Sequence, residues 1–442
     1  MNEFLVRRLW LPLHERLRGR ETLRHYSDLK ASEVWDAPRL EALRLRKLCR
    51  LLAHCQTQVP YYRALFAQAG IKDAAASGAQ ALREFPPLER DTIRSGGDAL
   101  LAESGHPPRL RANTGGSSGS PLVFQTDLVK EARHNAHKLR ARSWFGVLPG
   151  QRQVDFWGSP IELSKQSRLR VFKDRYFLNQ VLLSAFNLTA QRLDGYVTFL
   201  AKYRPRLVYG YPTVIYRVAQ HVLERSAGLG RYRPRLVACT SEMLLEHQRE
   251  TIRQVFDCPV ANEYGSRDGG LIAHECPAGQ LHIAAEHVWL EVDQPDADGV
   301  GDLLVTNLDG YGMPFVRYRL GDRGRLADAP CRCGLPLPVL AELQGRANDM
   351  LVGADGRQIH SLAPIYVLRE IAQLQQFRLH QRADRSVSVE LVLSRPLLAG
   401  ARQDMVRRLQ AVFGELPIEL IERDTIPPEK SGKYRWVISD AV

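Results

Sequence analysis

The sequence predicts a large α/β domain entered through a helical lead-in and followed by a small C-terminal α+β domain. Three observations predict it. Between residues 109 and 340 short β-branched runs alternate with longer helical patterns, the arrangement of a mostly parallel sheet with crossover helices. Residues 1–100 read almost entirely as helix, and after the turn-rich stretch 330–338 the pattern changes to helix, strand, helix, strand. The 442 residues suit two or three domains, and we place the boundaries at 1–100, 101–345 and 346–442.

Each element has a local reason. ALRLRKLCRLLAHCQ (42–56) sets Leu43, Leu45, Leu48, Leu51 and Leu52 near helical spacing, and Pro60 breaks the run. Residues 206–210, 235–240 and 302–308 are short β-branched strands. Residues 191–205 and 243–256 are the clearest helices, the second with Thr240-Ser241 as its expected cap. In the last segment we expect a helix near 362–376, a strand over 385–393, a helix near 398–413 and a strand around 417–422. No repeat of 20 to 50 residues is visible.

Composition excludes whole classes. Hydrophobic residues are 44% and charged residues 25%, so collagen-like and disordered chains are ruled out. No apolar run approaches the roughly 20 residues of a spanning helix, and the first ten residues lack a secretory h-region. Seven cysteines suit reduced thiols in a cytoplasm. The net charge is +12, but the arginines are scattered and no zinc finger, aromatic RNP-like strand or basic zipper accompanies them, so nucleic acid is not expected as a partner. Residues 4–20 alternate Leu and Trp with Arg. Such a stripe usually packs on its own domain, and the alternative is a helix at the surface of the inner membrane.

Three motifs carry chemistry. NTGGSSGSP (113–121) combines glycines, which turn backbone N–H groups inward, with the hydroxyls of Thr114, Ser117 and Ser118, a composition that can wrap a polyphosphate. It lacks the Lys-Ser/Thr pair of a Walker A loop, and a flexible linker is the plainer alternative. NEYGSRDGG (262–270) offers an aromatic face for a nucleobase at Tyr264 and a carboxylate for Mg²⁺ at Asp268. In YRLGD (318–322) the Asp322 carboxylate stands beside a glycine turn, suited to vicinal hydroxyls.

In order and spacing these pieces resemble the adenylate-forming superfamily, in particular its phenylacetate–CoA ligase family with relatives linked to capsular polysaccharide synthesis. VPYYRALFAQAGI (59–71) and EFPPLERDTIRS (84–95) look like that family's N-terminal segment, ACTSEML (238–244) like its adenine wall, LQGRANDML (343–351) like its hinge and SGKYRWV (431–437) like the segment carrying its catalytic lysine. The resemblance implies an adenylate-forming ligase. ATP and a carboxylic acid would give an acyl-adenylate and pyrophosphate, and the acyl group would then pass to coenzyme A. It implies that Thr114, Gly116, Ser117, Ser118 and Gly119 cradle phosphate, and that Ser241, Glu242, Tyr264, Gly265, Ser266, Asp322 and Arg346 contact the nucleotide. Asp268 would bind Mg²⁺, and Lys433 would bridge the growing phosphate charge.

The residues alone leave Lys430 and Lys433 as candidates, because no lysine lies between Lys202 and Lys430; the family pattern selects Lys433. Two departures stand out: Ser120 replaces the lysine often found before the proline, and Asp268 replaces a glutamate. They keep two other outcomes open, transfer to an amine or hydroxyl acceptor and a non-catalytic nucleotide binder. By analogy the acyl pocket is lined by residues 156–158, residues 209–212 and the stretch before Tyr264, favouring an apolar or aryl acid. Finally, Cys276 and His282, with Cys331 and Cys333, form a Cys/His pair followed by C-x-C that suits structural Zn²⁺, with His274 as an alternative to His282 and free buried thiols as the plainer reading. The sequence leaves the oligomeric state open.

Overall fold

The lead-in folds as its leucine spacing requires. Asp36 caps the helix Ala37–Gln58 by accepting from the Arg39 N–H, and Val59 ends it one residue before Pro60. Leu48, Leu51 and Leu52 are buried against Tyr62, Phe66 and Phe85. Leu45 faces solvent instead. A computed structural model describes residues 2–113, 122–157, 167–185, 188–225, 228–346, 350–356, 358–360, 362–371, 373–397, 400–427 and 435–441. It divides into a large unit of residues 1–320 and 324–343 and a small unit of residues 321–323 and 344–442.

In the large unit, strands β1 (Arg109–Asn113) and β2 (Val123–Asp127) form an antiparallel pair that brackets the glycine/serine motif. Residues 114–121 of that motif lie outside the described residues. The main sheet is built from β3 (Gln153–Trp157), β4 (Gln180–Ser184), β5 (Leu207–Gly210), β6 (Leu236–Thr240), β7 (Val260–Ser266), β8 (Gly270–Glu275), β9 (Leu281–Ile283), β10 (Val288–Asp293), β11 (Gly301–Asn307), β12 (Tyr318–Leu326) and β13 (Val339–Arg346). Their order is β10-β11-β12-β13-β9-β8-β7-β6-β5-β3-β4. From β4 to β7 neighbouring strands run parallel. Helices Ala190–Tyr203, Pro212–Arg225 and Glu246–Phe256 make the crossovers. β5 and β6 are buried along their whole length, as strands covered on both faces must be.

Two expectations need correction here. The sheet is mixed, not mostly parallel: β7–β8, β8–β9, β9–β13 and β10–β11 are antiparallel. Short turns such as residues 267–269 permit only antiparallel return, whereas parallel pairing needs a crossover of a dozen residues. The helix expected from 243 begins at Glu246, and its cap is not Thr240-Ser241. Gln248 reaches back to accept from the Leu245 N–H, while Ser241 adopts a left-handed conformation at φ +70°.

Edge strand β10 carries Glu291 and Asp293, which pair with Arg317 (3.2 Å and 3.7 Å) and, for Asp293, with Arg319 (3.2 Å).

The small unit holds a four-stranded sheet ordered β18-β17-β16-β19, from β16 (Leu374–Gln381), β17 (Val387–Leu393), β18 (Ile418–Glu422) and β19 (Val437–Ser439), with helices Leu362–Arg369 and Ala401–Phe413. A two-stranded ribbon, β14 (Met350–Val352) with β15 (Gln358–His360), precedes it. The helix expected to reach residue 376 stops at Arg369, because Phe377, Leu379 and Gln381 alternate inward and belong to a strand. Its core gathers Leu368, Phe377, Leu379, Val389, Met405, Leu409 and Phe413. Among the described residues no helix is long and apolar enough to cross a membrane.

Gly210 ends β5 at φ +151°, and a Cβ there would stand 2.3 Å from the Phe156 carbonyl oxygen of β3. Gly210→Ala should therefore destabilise the large unit by about 2–3 kcal/mol, read as a lower midpoint in urea denaturation; an unchanged midpoint would refute this close packing.

Candidate functional site

Strand β7 is where the sheet changes direction, parallel to β6 on one side and antiparallel to β8 on the other. In open α/β sheets ligands gather outside the carboxyl ends of the parallel strands. Tyr264, Gly265 and Ser266 complete β7, and Ser241 and Glu242 follow β6, whose Thr240 is level with Glu263. Glu242 accepts from the N–H (3.3 Å) and hydroxyl (2.7 Å) of Thr213, which fixes it to the first turn of the helix Pro212–Arg225.

Asp268 sits in the turn between β7 and β8 and is buried. Tyr318, the first residue of YRLGD, donates its hydroxyl to the Asp268 carboxylate at 2.6 Å, joining two motifs 50 residues apart. Burial opposes the negative charge on Asp268, but hydrogen bonds from Ser266 and Tyr318 and the nearby Arg90 outweigh it and hold the carboxyl below its ordinary range. The turn itself is held from behind. Asn307 donates to the Gly269 carbonyl (3.2 Å), and a Cβ on Gly270, whose φ is +90°, would stand 2.8 Å from His287 Nε2. His287 in turn pairs through Nδ1 with Asp309 (2.7 Å), which Lys47 (2.5 Å) and Arg133 (3.2 Å) also contact.

The helix Leu128–Ser143 backs this region with cations the sequence analysis did not single out. Lys130 donates to the Asp268 carbonyl at 2.7 Å, and burial lowers its pKa to about 8. Two and three turns further along, Lys138 and Arg142 place their charges over the Tyr209 ring, 5.0 Å and 4.6 Å from its centre. Both also face Glu263, which Tyr209 bonds at 2.7 Å and Lys138 at 3.2 Å. Burial works to raise the Glu263 pKa, yet Lys138 and Arg142 overcome it and bring it to about 2. The i, i+4 spacing of Lys138 and Arg142 was readable as one helix face; their partner 120 residues on was not. Trp157 also lies against Tyr209, its ring nearly parallel at 5.9 Å, and Tyr211 packs on Trp157 at 4.6 Å. Two of the segments expected to line an acyl pocket thus meet as an aromatic wall with a neutralised carboxylate beside it.

Asp322 lies half-buried in β12, and Arg346 ends β13. Thr114, Gly116, Ser117, Ser118, Gly119, Ser120, Lys430 and Lys433 lie outside the described residues.

The cysteines converge. Cys276, His282, Cys331 and Cys333 bring their ligand atoms within 4.8 Å of one another. The Cys276 and Cys331 sulfurs are 3.8 Å apart, the edge of a tetrahedron built on metal–sulfur bonds of about 2.3 Å. His282 aims Nε2 at the Cys333 sulfur (3.1 Å), while its Nδ1 is engaged by the Leu337 carbonyl, 3.1 Å away. A backbone contact at the second nitrogen is what orients a ligating imidazole. His274, level with His282 across β8–β9, turns Nδ1 to the Glu275 carbonyl and is not in the set.

No family model matches the chain. In solved structures, 2-hydroxyisobutyryl-CoA ligase in its postadenylation state, bound to an acyl-adenylate, superposes with a TM-score of 0.74 at 17% identity over 92% of this chain and 91% of that one. The chain has the adenylate-forming ligase fold. An open conformation of the same ligase, with an acyl-adenylate and coenzyme A, gives a TM-score of 0.60. In sequence, protein CapK of Staphylococcus aureus is 28% identical over 271 residues, covering 61% of this chain and 60% of that protein. A phenylacetate–coenzyme A ligase of Thermus thermophilus is 25% identical over 342 residues, 72% of this chain and 73% of that one. The chain thus matches somewhat under two thirds of the length of CapK and nearly three quarters of the ligase.

Because the folded pKa of Glu263 is depressed to about 2, its stabilisation is complete above the unfolded value near 4.5 and is lost as pH falls from there toward 2. We expect Glu263→Gln to cost on the order of 3 kcal/mol at pH 6, and the gap to wild type to shrink at pH 3. Urea denaturation at both pH values checks this, and a gap independent of pH would remove the ion cluster as its cause.

Proposed function

We propose that this chain activates a carboxylic acid at the expense of ATP, forming an acyl-adenylate with release of pyrophosphate, and then transfers the acyl group to coenzyme A. The observation that carries this reading is the likeness over nine tenths of both chains to a ligase held with its acyl-adenylate, together with the ordered motifs around β6 and β7.

In this reading the acid's carboxylate attacks the α-phosphorus of ATP and the bond to pyrophosphate breaks. The protein's part is positioning and charge stabilisation. Thr114, Gly116, Ser117, Ser118 and Gly119 hold the phosphates through hydroxyls and backbone N–H groups. Tyr264 faces the adenine beside Gly265 and Ser266, with Ser241 and Glu242 on the neighbouring strand end. Asp322 takes the ribose hydroxyls and Arg346 the ribose or phosphate. Lys433 supplies a cation to the separating phosphates. Asp268 fits Mg²⁺ in donor chemistry: its carboxylate is ionised, and the bonds from Tyr318, Ser266 and the Gly269 N–H leave acceptor capacity on its two oxygens. Mg²⁺ there would neutralise phosphate charge. The wall of Trp157, Tyr209 and Tyr211 favours an apolar or aryl acid.

Zinc is the metal that suits Cys276, His282, Cys331 and Cys333. Three thiolates and one imidazole are soft donors, their spacing is tetrahedral, and four protein ligands leave no open coordination position, so the ion would staple β9 and the turn after β8 to the loop before β13.

Two measurements test these readings. Exchange of labelled pyrophosphate into ATP, run over a panel of aryl and fatty acids, should appear with one class of acid and fall roughly 10²–10³-fold in Asp268→Ala and in Lys433→Ala. Thioester should form when coenzyme A is added. Exchange with no acid would overturn the activity, and exchange without thioester would move the acceptor to an amine or hydroxyl. Elemental analysis should find one zinc per chain, lost in Cys333→Ser with a lower melting temperature; freely titrating thiols without zinc would remove the staple.

A further inference from the structure

A surface far from strand β7 in sequence is built unlike the rest of the chain. Residues 3–17 form one continuous helical run whose turn Val6–Trp10 is a π-helix, a form rare enough to mark functional segments. One side of the run is docked. Val6 is fully buried against Gly150, where a Cβ would stand 2.9 Å from the Arg7 nitrogen, and Glu3 accepts from Gln151 at 3.1 Å. The other side is apolar and open. Leu5, Leu9, Leu13 and Leu17 recur every fourth residue and all face solvent, Leu17 at 78% exposure, with Phe4 at 66%.

A second helix, Arg168–Phe177, continues this surface. It buries none of its residues and exposes Leu169 (81%), Val171, Phe172 (54%) and Tyr176. The two helices touch where Trp10 meets Phe177 edge to face at 4.6 Å, and within the second helix Phe172 lies against Tyr176 at 4.8 Å. Isolated exposed hydrophobics need no explanation, but nine of them on two adjoining helices do.

Charge chooses the occupant. Residues 2–20 carry five arginines and two glutamates, and residues 167–177 carry four basic side chains and one aspartate. The two segments therefore bring a net +6, half of the chain's +12, on about 30 residues. Arg7, Arg8, Arg16, Arg18, Arg168, Arg170 and Arg175 face solvent beside the leucines. A protein partner of ordinary composition would leave that charge unmatched. A bilayer rich in anionic phospholipid offers acyl chains to the leucines and phenylalanines and phosphates to the arginines over the same plane.

We propose that the helices of residues 3–17 and 168–177 together form an interfacial anchor that seats this protein on an anionic bilayer surface. The inference rests on this surface alone and not on the proposed activity.

Vesicle sedimentation of the full chain tests it. Binding to vesicles of 70% phosphatidylcholine and 30% phosphatidylglycerol should exceed binding to pure phosphatidylcholine at least tenfold and weaken in 0.5 M NaCl. The double variant Leu13→Asp/Phe172→Asp should lose at least tenfold in binding, whereas Leu223→Asp, an exposed leucine on the helix Pro212–Arg225, should bind as wild type does. Both altered positions face solvent, and an unchanged thermal melt would confirm folding. If the double variant melts early, the salt and lipid-composition arms on the wild type decide the matter. Absent binding to anionic vesicles, equal binding to neutral ones, or binding that survives in a folded double variant would each overturn the proposal. So would sedimentation velocity showing a dimer that this variant dissociates, which would assign the surface to a second copy.

Discussion

The helix Leu128–Ser143 is the constraint around which the large unit is arranged. It is a polar helix by composition, yet Lys130, His137, Arg140 and Arg142 are buried. Charge of that kind cannot be placed in an interior without partners, because removing one ion from water costs several kcal/mol even after the protein relaxes. Each buried cation is therefore met by an acceptor from a different part of the sheet: the Asp268 carbonyl by Lys130, Glu263 by Lys138 and Arg142, and Glu286 by a bidentate contact from Arg140 at 2.6 and 3.1 Å. Even the neutral His134 is used, accepting from the Leu271 N–H at 2.8 Å. The helix thus fixes the ends of β7 and β8 and the turn that presents Asp268, and it does so through groups that tolerate little displacement.

Against that frame, the motif glycines acquire separate jobs. Gly270 is required because His287 stands where its side chain would be, and His287 stands there because Asp309, itself fixed by Lys47 and Arg133, holds it. Tyr318 then closes the arrangement from the other motif by its bond to Asp268. The sequence motifs at 262–270 and 318–322 are therefore parts of one hydrogen-bonded unit.

Patterns carried by nearest neighbours in the chain were legible from the sequence. The leucine spacing of Ala37–Gln58 and the buried runs of β5 and β6 follow from periodicity; the grouping of Cys276, His282, Cys331 and Cys333 is the one long-range set that donor type alone suggested. Long-range partners were hidden. Nothing in LVKEARHNAHKLRARS distinguishes a buried cationic helix from a solvated one, since the acids that neutralise it lie 120 to 180 residues away. The helix expected near 362–376 overruns the first three residues of the strand Leu374–Gln381, and the rest of that strand, whose inward residues include a glutamine, was not expected. Gln381 is buried only because its side chain both donates to and accepts from the Val352 backbone at 2.8 Å. The left-handed Ser241 has no signature in composition at all.

An eleven-stranded sheet must end somewhere, and its last strand offers unpaired backbone groups to any passing chain. At β10 the outermost row holds Glu291, clasped by Arg317, and Asp293, clasped by Arg317 and Arg319. A foreign strand seeking to extend the ladder would have to strip those ion pairs and bury their charges, so electrostatics guards this border against runaway β-assembly. Such a border lets a very wide sheet persist at cellular protein concentrations without templating its own precipitation.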